Sequence, residues 1–179
     1  DLFVAKGNVA EMPDFAAADP NNLLLQTPDG VFKEAASEAG VASMGIARGA
    51  QLVDLNLDGA LDLVVVNRWS GAEIWRQSTG SAGNWVQVRL HQDRFNRDAI
   101  GAVVEILRDG MLERHDISAG GGHASGGLGW VHFGLGRADQ IDLRVIWPDG
   151  EAGDWQTLAA GQFWRIDRDN GVLPWQPGP

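Results

Sequence analysis

Residues 54–62 read DLNLDGALD, with oxygen-bearing side chains at Asp54, Asn56, Asp58 and Asp62. Calcium is a hard cation that takes about six to eight oxygen ligands at about 2.3–2.6 Å. A nine-residue loop supplies them when its first, third, fifth and ninth positions turn inward. The seventh position, Ala60, adds its backbone carbonyl. Gly59, at the sixth, permits the sharp turn that swings the later positions back onto an ion. Leu55, Leu57 and Leu61 alternate with the donors and are expected to point toward a core. Three carboxylates in so short a loop repel one another, and Ca2+ would relieve that repulsion, coupling binding to local folding. The same residue types also make metal-free turns between strands.

The flanks decide what kind of loop this is. Its start resembles an EF-hand, but position twelve is Val65, where an EF-hand needs a bidentate glutamate. The residues after Asp62, LVVV, are mostly β-branched and favour a strand over an exiting helix. The spacing therefore predicts strand, loop, strand. An internal echo supports this: DLFVAKG at 1–7 matches DLVVVNR at 62–68. Each copy leads through a variable loop to a short apolar strand, NLLLQ at 22–26 and AEIWRQ at 72–77, and then a turn. Repeats of short strands point to a propeller blade or a solenoid, and one unit with part of another fits the tail of a longer array. Residues 34–41, EAASEAGV, carry helix formers and a C-cap glycine at Gly40, and fit a short helix or a loop equally.

From 84 onward the period lengthens. In NWVQVRLHQ, Val86, Val88 and Leu90 share one face and Gln87, Arg89 and His91 the other. In IDLRVIW, Ile141, Leu143, Val145 and Trp147 share a face. Strands are expected at 84–91, 102–108, 111–118, 130–134, 141–147 and 162–168, separated by the turn signals RDGM, PDGE and DNGV. The fold class is thus all-β: a propeller-like portion over 1–80, a small antiparallel β-sandwich or barrel-like domain over 81–170, and a flexible tail over 171–179.

Composition narrows the partners. The chain has 179 residues, a net charge of −10 and no cysteine. That acidity suits cations and disfavours nucleic acid or an anionic membrane as partner. Without cysteine, thiolate zinc sites, disulfides and cysteine nucleophiles are excluded. No apolar run approaches the roughly 18 residues a spanning helix needs.

The stretch RGAQLVDLNLDGALDLVVVN at 48–67 resembles an FG-GAP (VCBS-type) repeat, the calcium-loop blade of integrin-α-like β-propellers. GVFKEAASEAGV at 30–41 is similar to the segment joining such blades. The ordered series NWVQVRL at 84–90, NRDAIGAVVEI at 96–106, VHFGLG at 131–136 and VIWPDG at 145–150 resembles the ASPIC/UnbV domain, which follows FG-GAP arrays. The resemblance implies a propeller portion followed by a small β-domain. It places calcium at Asp54, Asn56, Asp58, Ala60 (backbone) and Asp62. Asp1 matches the ninth position of a preceding loop, so the chain is expected to begin inside a repeat. One departure stands out. The family's Ser-Tyr-Leu-Ser-Gln-like segment is replaced here by GGGHASGGLGW at 120–130.

Other constellations are weaker. His115, His123 and His132 lie close in sequence, but there is no GxSxG elbow and no HExxH. The glycine-rich loop lacks the ending of a phosphate loop, though its amides and His123 could line a ligand site. Asn96, Arg97 and Asp98 suit either a polar ligand site or a turn locked by side-chain hydrogen bonds. Trp75, Trp85, Trp147 and Trp164 are expected in the core, and Trp69, Trp130, Trp155 and Trp175 beside turns. Trp69 and Trp130, with His123, are the candidate interaction residues. The sequence is therefore read as a non-enzymatic, exported (periplasmic or secreted) calcium-binding module for interaction or assembly, with protein partners or further propeller blades. A carbohydrate-binding module using exposed tryptophans, or an accessory factor in a biosynthetic pathway, is the alternative.

Overall fold

The computed structural model describes residues 1–7, 19–79, 83–108, 110–121, 123 and 126–177. Among these, every regular element is a β-strand. The chain divides into two compact units. The first comprises Asp1–Leu55, Leu61–Gln77 and Gly120–Gly126; the second comprises Asn56–Ala60, Ser78–Ala119 and Gly127–Pro179.

The first unit holds two three-stranded antiparallel sheets. One is β1 (Leu2–Val4), β2 (Asn22–Gln26) and β3 (Phe32–Glu34), in that order. The other is β4 (Ala47–Val53), β5 (Asp62–Asn67) and β6 (Glu73–Trp75), also in that order. The sequence echo is a structural one. Leu2 pairs with Leu24 and Phe3 with Leu23 in the first sheet; Leu63 pairs with Trp75 and Val64 with Ile74 in the second. Leu24 of the first sheet thus corresponds to Trp75 of the second. The core of this unit is Ala36, Val41, Ala47, Leu63 and Val65, with Phe3, Leu23 and Trp75 packed on it.

Residues 34–41 make a single turn and no helix. Gly40, with φ 74°, closes it: Val41 N–H reaches Ala36 C=O at 2.9 Å and Gly40 N–H reaches Ser37 C=O at 3.2 Å. This is the Schellman pattern expected at a helix C-terminus. The segment is too short to extend it, because Ala36 and Val41 are both held in the core and one turn cannot repay helix nucleation.

The second unit is built from two four-stranded sheets. One has the order β10 (Val131–Gly136), β7 (Asn84–His91), β13 (Gln162–Asp167), β14 (Gly171–Trp175). The other has the order β12 (Gln156–Ala159), β11 (Gln140–Ile146), β8 (Val103–Arg108), β9 (Met111–Asp116). Val86, Val88 and Leu90 of β7, Val104 and Ile106 of β8, and Ile141, Leu143 and Val145 of β11 belong to one buried core. The expected alternation therefore holds on both β7 and β11. The six expected strands are present with ends shifted by two residues or fewer.

Two features depart from the sequence reading. The pair β13–β7 is parallel, with Arg165 beside Arg89 and Asp167 beside His91, so this sheet is mixed and not wholly antiparallel. Residues 171–175, expected in a flexible tail, form β14, which pairs with β13 from Asp167↔Gly171 to Phe163↔Trp175. The turn that makes this possible is held by Asp167, whose Oδ1 accepts the N–H groups of Asp169 (3.1 Å) and Asn170 (3.0 Å). Pro174 is tolerated because β14 is an edge strand. Residues 178–179 of the expected tail, with Asp109 of RDGM and residues 80–82 of the turn after β6, lie outside the described residues.

Candidate functional site

The strands β4 and β5 pair up to Val53↔Asp62, so residues 54–61 connect them, as strand–loop–strand spacing predicts. The loop ends are buried: Asp54 is 7% exposed and Asp62 3%. Asp62 is engaged on both oxygens. Its Oδ2 accepts Leu55 N–H at 3.2 Å and its Oδ1 accepts Gln77 N–H at 2.9 Å. The second bond has a counterpart in the other sheet, where Asp1 Oδ1 accepts Gln26 N–H at 2.8 Å. Each aspartate opens a strand and fixes the backbone just past the end of the neighbouring one.

Asn56, Asp58 and Ala60 fall in the second unit. The Asn56 carboxamide donates to Asp58 Oδ2 at 2.7 Å, Asp58 Oδ1 accepts Ala60 N–H at 3.0 Å, and Asp58 N–H reaches Asn56 Oδ1 at 3.3 Å. The last two are side-chain-to-backbone bonds of the Asx type, which the same residues make in turns. Leu57 and Gly59 both have positive φ, at 61° and 90°. Leu55 is 51% exposed, so it does not point to the core as the alternation suggests. The left-handed Leu57 breaks the strand-like alternation on which that expectation rests. Among the described residues, no three histidine or acidic side chains form a group poised to hold a metal. The donors are all oxygen, the right chemistry for a hard cation.

Gly59 is constrained twice over in the second unit. A Cβ placed on it would come within 1.9 Å of the Trp85 indole. Its carbonyl accepts a hydrogen bond from His132 Nε2 at 3.0 Å, and the His132 ring lies over Trp85 at a centroid distance of 6.5 Å. The sequence assigns Gly59 only a turn; its apposition to Trp85 has no sequence signal.

The other candidates resolve individually. His115 packs its ring edge to face with Phe133 at 6.1 Å, and His132 is occupied with Gly59. His123 is exposed in the first unit, where Ser125 and its neighbour Ala124 lie outside the described residues. Asn96 locks its own turn: its carboxamide donates to Ile100 C=O at 2.7 Å and accepts Ile100 N–H at 3.0 Å. Trp147 is buried, whereas Trp75, Trp85 and Trp164, expected in the core, are only half-buried. Trp69 is 73% exposed with φ 66°, and the Arg68 guanidinium sits 3.9 Å from its ring. Trp130 is half-buried against Phe163 (5.1 Å) and Trp175 (4.9 Å). No helix among the described residues is long and apolar enough to cross a membrane.

Comparison with known proteins bears on the second unit above all. The chain is 32% identical to cartilage acidic protein 1 of Homo sapiens over 123 residues, covering 66% of this chain and 18% of that protein. It is 32% identical to cartilage acidic protein 1 of Mus musculus over 111 residues, covering 60% of this chain and 17% of that protein. The chain thus spans less than a fifth of the length of these relatives. Residues 92–172, running from just after β7 into β14, match the family described as ASPIC and UnbV.

Proposed function

We propose that this chain is a non-enzymatic, extracytoplasmic calcium-binding module for interaction or assembly, in which FG-GAP-type blade elements precede the ASPIC/UnbV-type domain. The observation that carries the reading is the repeated construction of the first unit. Two sheets pair in the same register, and each is clamped by an aspartate, Asp1 on Gln26 and Asp62 on Gln77. Repeats of this kind gain stability by stacking on copies of themselves. The surface of these sheets supports the same view: Leu2, Leu25, Phe32, Leu52, Val66 and Ile74 are each at least 40% exposed. Apolar side chains displayed this densely favour cover by further blades or by a protein partner.

Ca2+ would be held by the Asp54, Asn56, Asp58 and Asp62 side chains and the Ala60 carbonyl. When bound, it neutralises the loop's carboxylates and fixes the β4–β5 connection. The chain's own residues prepare for this by placing acidic groups at both ends and in the middle of one nine-residue segment. A modest affinity suits the millimolar calcium found outside cells.

Sedimentation velocity of residues 1–179 tests the assembly part. Concentration-dependent association, or binding to a polypeptide bearing further blade repeats, is expected. A chain that stays monomeric, unfolds cooperatively alone and ignores such a polypeptide would contradict it.

A further inference from the structure

We propose that the second unit carries a binding cleft for an acidic sugar, formed on the outer face of the β7–β13 pair. The cleft has a volume of about 290 Å3. Arg89, His91, Arg97 and Arg165 line it together with the indoles of Trp130 and Trp175, and Asp98 stands in its wall. This lies at the lower end of the ~300–1,000 Å3 typical of small-molecule sites, enough for one ring and its substituents.

The parallel pairing makes the site. It sets Arg165 directly beside Arg89, and neighbouring strands run about 4.8 Å apart. Like charges at paired positions destabilise a sheet unless something offsets them. The internal offset is partial. Asp98 is shared between Arg89 Nη2 at 3.3 Å and Arg97 Nη2 at 3.7 Å. Asp167 is 3.2 Å from Arg165 Nη2, but it also holds His91 Nδ1 at 2.8 Å and the backbone of the β13–β14 turn. Burial pushes the Asp167 carboxyl up, yet hydrogen bonds from Asp169, Asn170 and His91 outweigh burial and keep it below the ordinary 3.8. Three guanidiniums therefore face two carboxylates, in a chain whose net charge is −10. The arginines keep 48%, 68% and 43% of their side-chain surface exposed at positions 89, 97 and 165, and each has donors to spare.

Three features together specify the ligand. A fork of guanidiniums selects a carboxylate or sulfate by paired hydrogen bonds. Asp98 in the same wall repels a bare anion and wants a hydroxyl donor. Trp130 and Trp175, 4.9 Å apart, offer indole surface for the C–H face of a ring. A hydroxylated ring bearing one acidic group, a uronate or a sulfated sugar, satisfies all three. The cleft contains none of the proposed calcium ligands, so binding is independent of that reading.

Isothermal titration of the whole chain tests the proposal, with methyl β-glucuronide and methyl β-glucoside 6-sulfate as probes and methyl β-glucoside and acetate as controls. Each is run in calcium and in EDTA. At least one acidic sugar is expected to bind ten-fold or more tightly than both controls, in either buffer. Arg165→Ala and Arg89→Gln each lower that affinity at least ten-fold, while Lys33→Ala on β3 leaves it unchanged. The wild-type comparison stands even if a variant fails to fold. Neither acid exceeding the glucoside and acetate, or well-folded Arg165→Ala binding as the parent does, would overturn the proposal. Loss of binding in EDTA alone would overturn the independence from calcium.

Discussion

Asp62 and Gln77 are joined by a 2.9 Å hydrogen bond from the Gln77 backbone N–H to the buried Asp62 carboxylate. The same carboxylate holds Leu55 N–H on its other oxygen. Its counterpart, Asp1, makes the equivalent bond to Gln26 on an exposed edge. Removing a buried charged acceptor strands its donors, at about 1–3 kcal/mol each. Asp62→Ala is expected to destabilise the first unit by ~2–4 kcal/mol in chelator, and Asp1→Ala by about 0.5 kcal/mol or less. Urea unfolding of both variants measures the difference; equal losses would mean that burial does not set the strength of the clamp.

Gly59 has a second constraint beyond its φ of 90°. Its Cα faces the Trp85 indole so closely that any side chain collides with it. Left-handed strain costs a non-glycine residue about 1–2 kcal/mol, and overpacking about 1–3 kcal/mol more. Gly59→Ala should lower the stability of the second unit by ~2–5 kcal/mol, with a change in tryptophan fluorescence from Trp85. Ala at the exposed Gly30, which has φ 82° and open space around it, should show the backbone part alone.

Glu105 predicts a pH dependence. It is fully buried on β8, between Arg144 of β11 (2.6 Å) and Arg114 of β9 (2.6 Å), at register positions in both pairings. The hydrogen bond from Arg144, against the opposing effect of burial and helped by Arg114, holds its carboxyl below the ordinary 4.5. A depressed acid contributes stability that is complete above its unfolded value and is lost as pH falls through its folded value. Glu105→Gln should therefore cost about 3 kcal/mol at neutral pH, the low end for a broken buried pair because both arginines reach water. That gap should narrow below about pH 4.5. Unfolding midpoints of parent and variant from pH 3 to 7 check this; a constant gap would contradict it.

The strands of the second unit were legible because Val86, Val88 and Leu90, and Ile141, Leu143 and Val145, alternate cleanly onto one core. The repeat was legible because Asp1 and Asp62 each open a strand with a like sequence. Three things were not. Residues 171–175 run into the proline-rich Pro-Trp-Gln-Pro of 174–177 and look like a tail, and only the tertiary partner β13 makes them a strand. The cleft depends on β13 running parallel to β7, a long-range choice that brings Arg165 beside Arg89 and leaves no local signal. The loop's oxygen-bearing residues and its place between two strands were legible, but the left-handed Leu57 and the exposure of Leu55 were not, since alternation predicts a regular loop.

The calcium loop is the central claim, and scanning calorimetry of residues 1–179 in millimolar Ca2+ against EDTA tests it most directly. An ion present at about ten times its dissociation constant adds about 1.4 kcal/mol, or ~3–6 °C in Tm for a chain of this size. The account predicts that rise in the parent protein and its loss in Asp58→Ala. An unchanged Tm in the parent would contradict it.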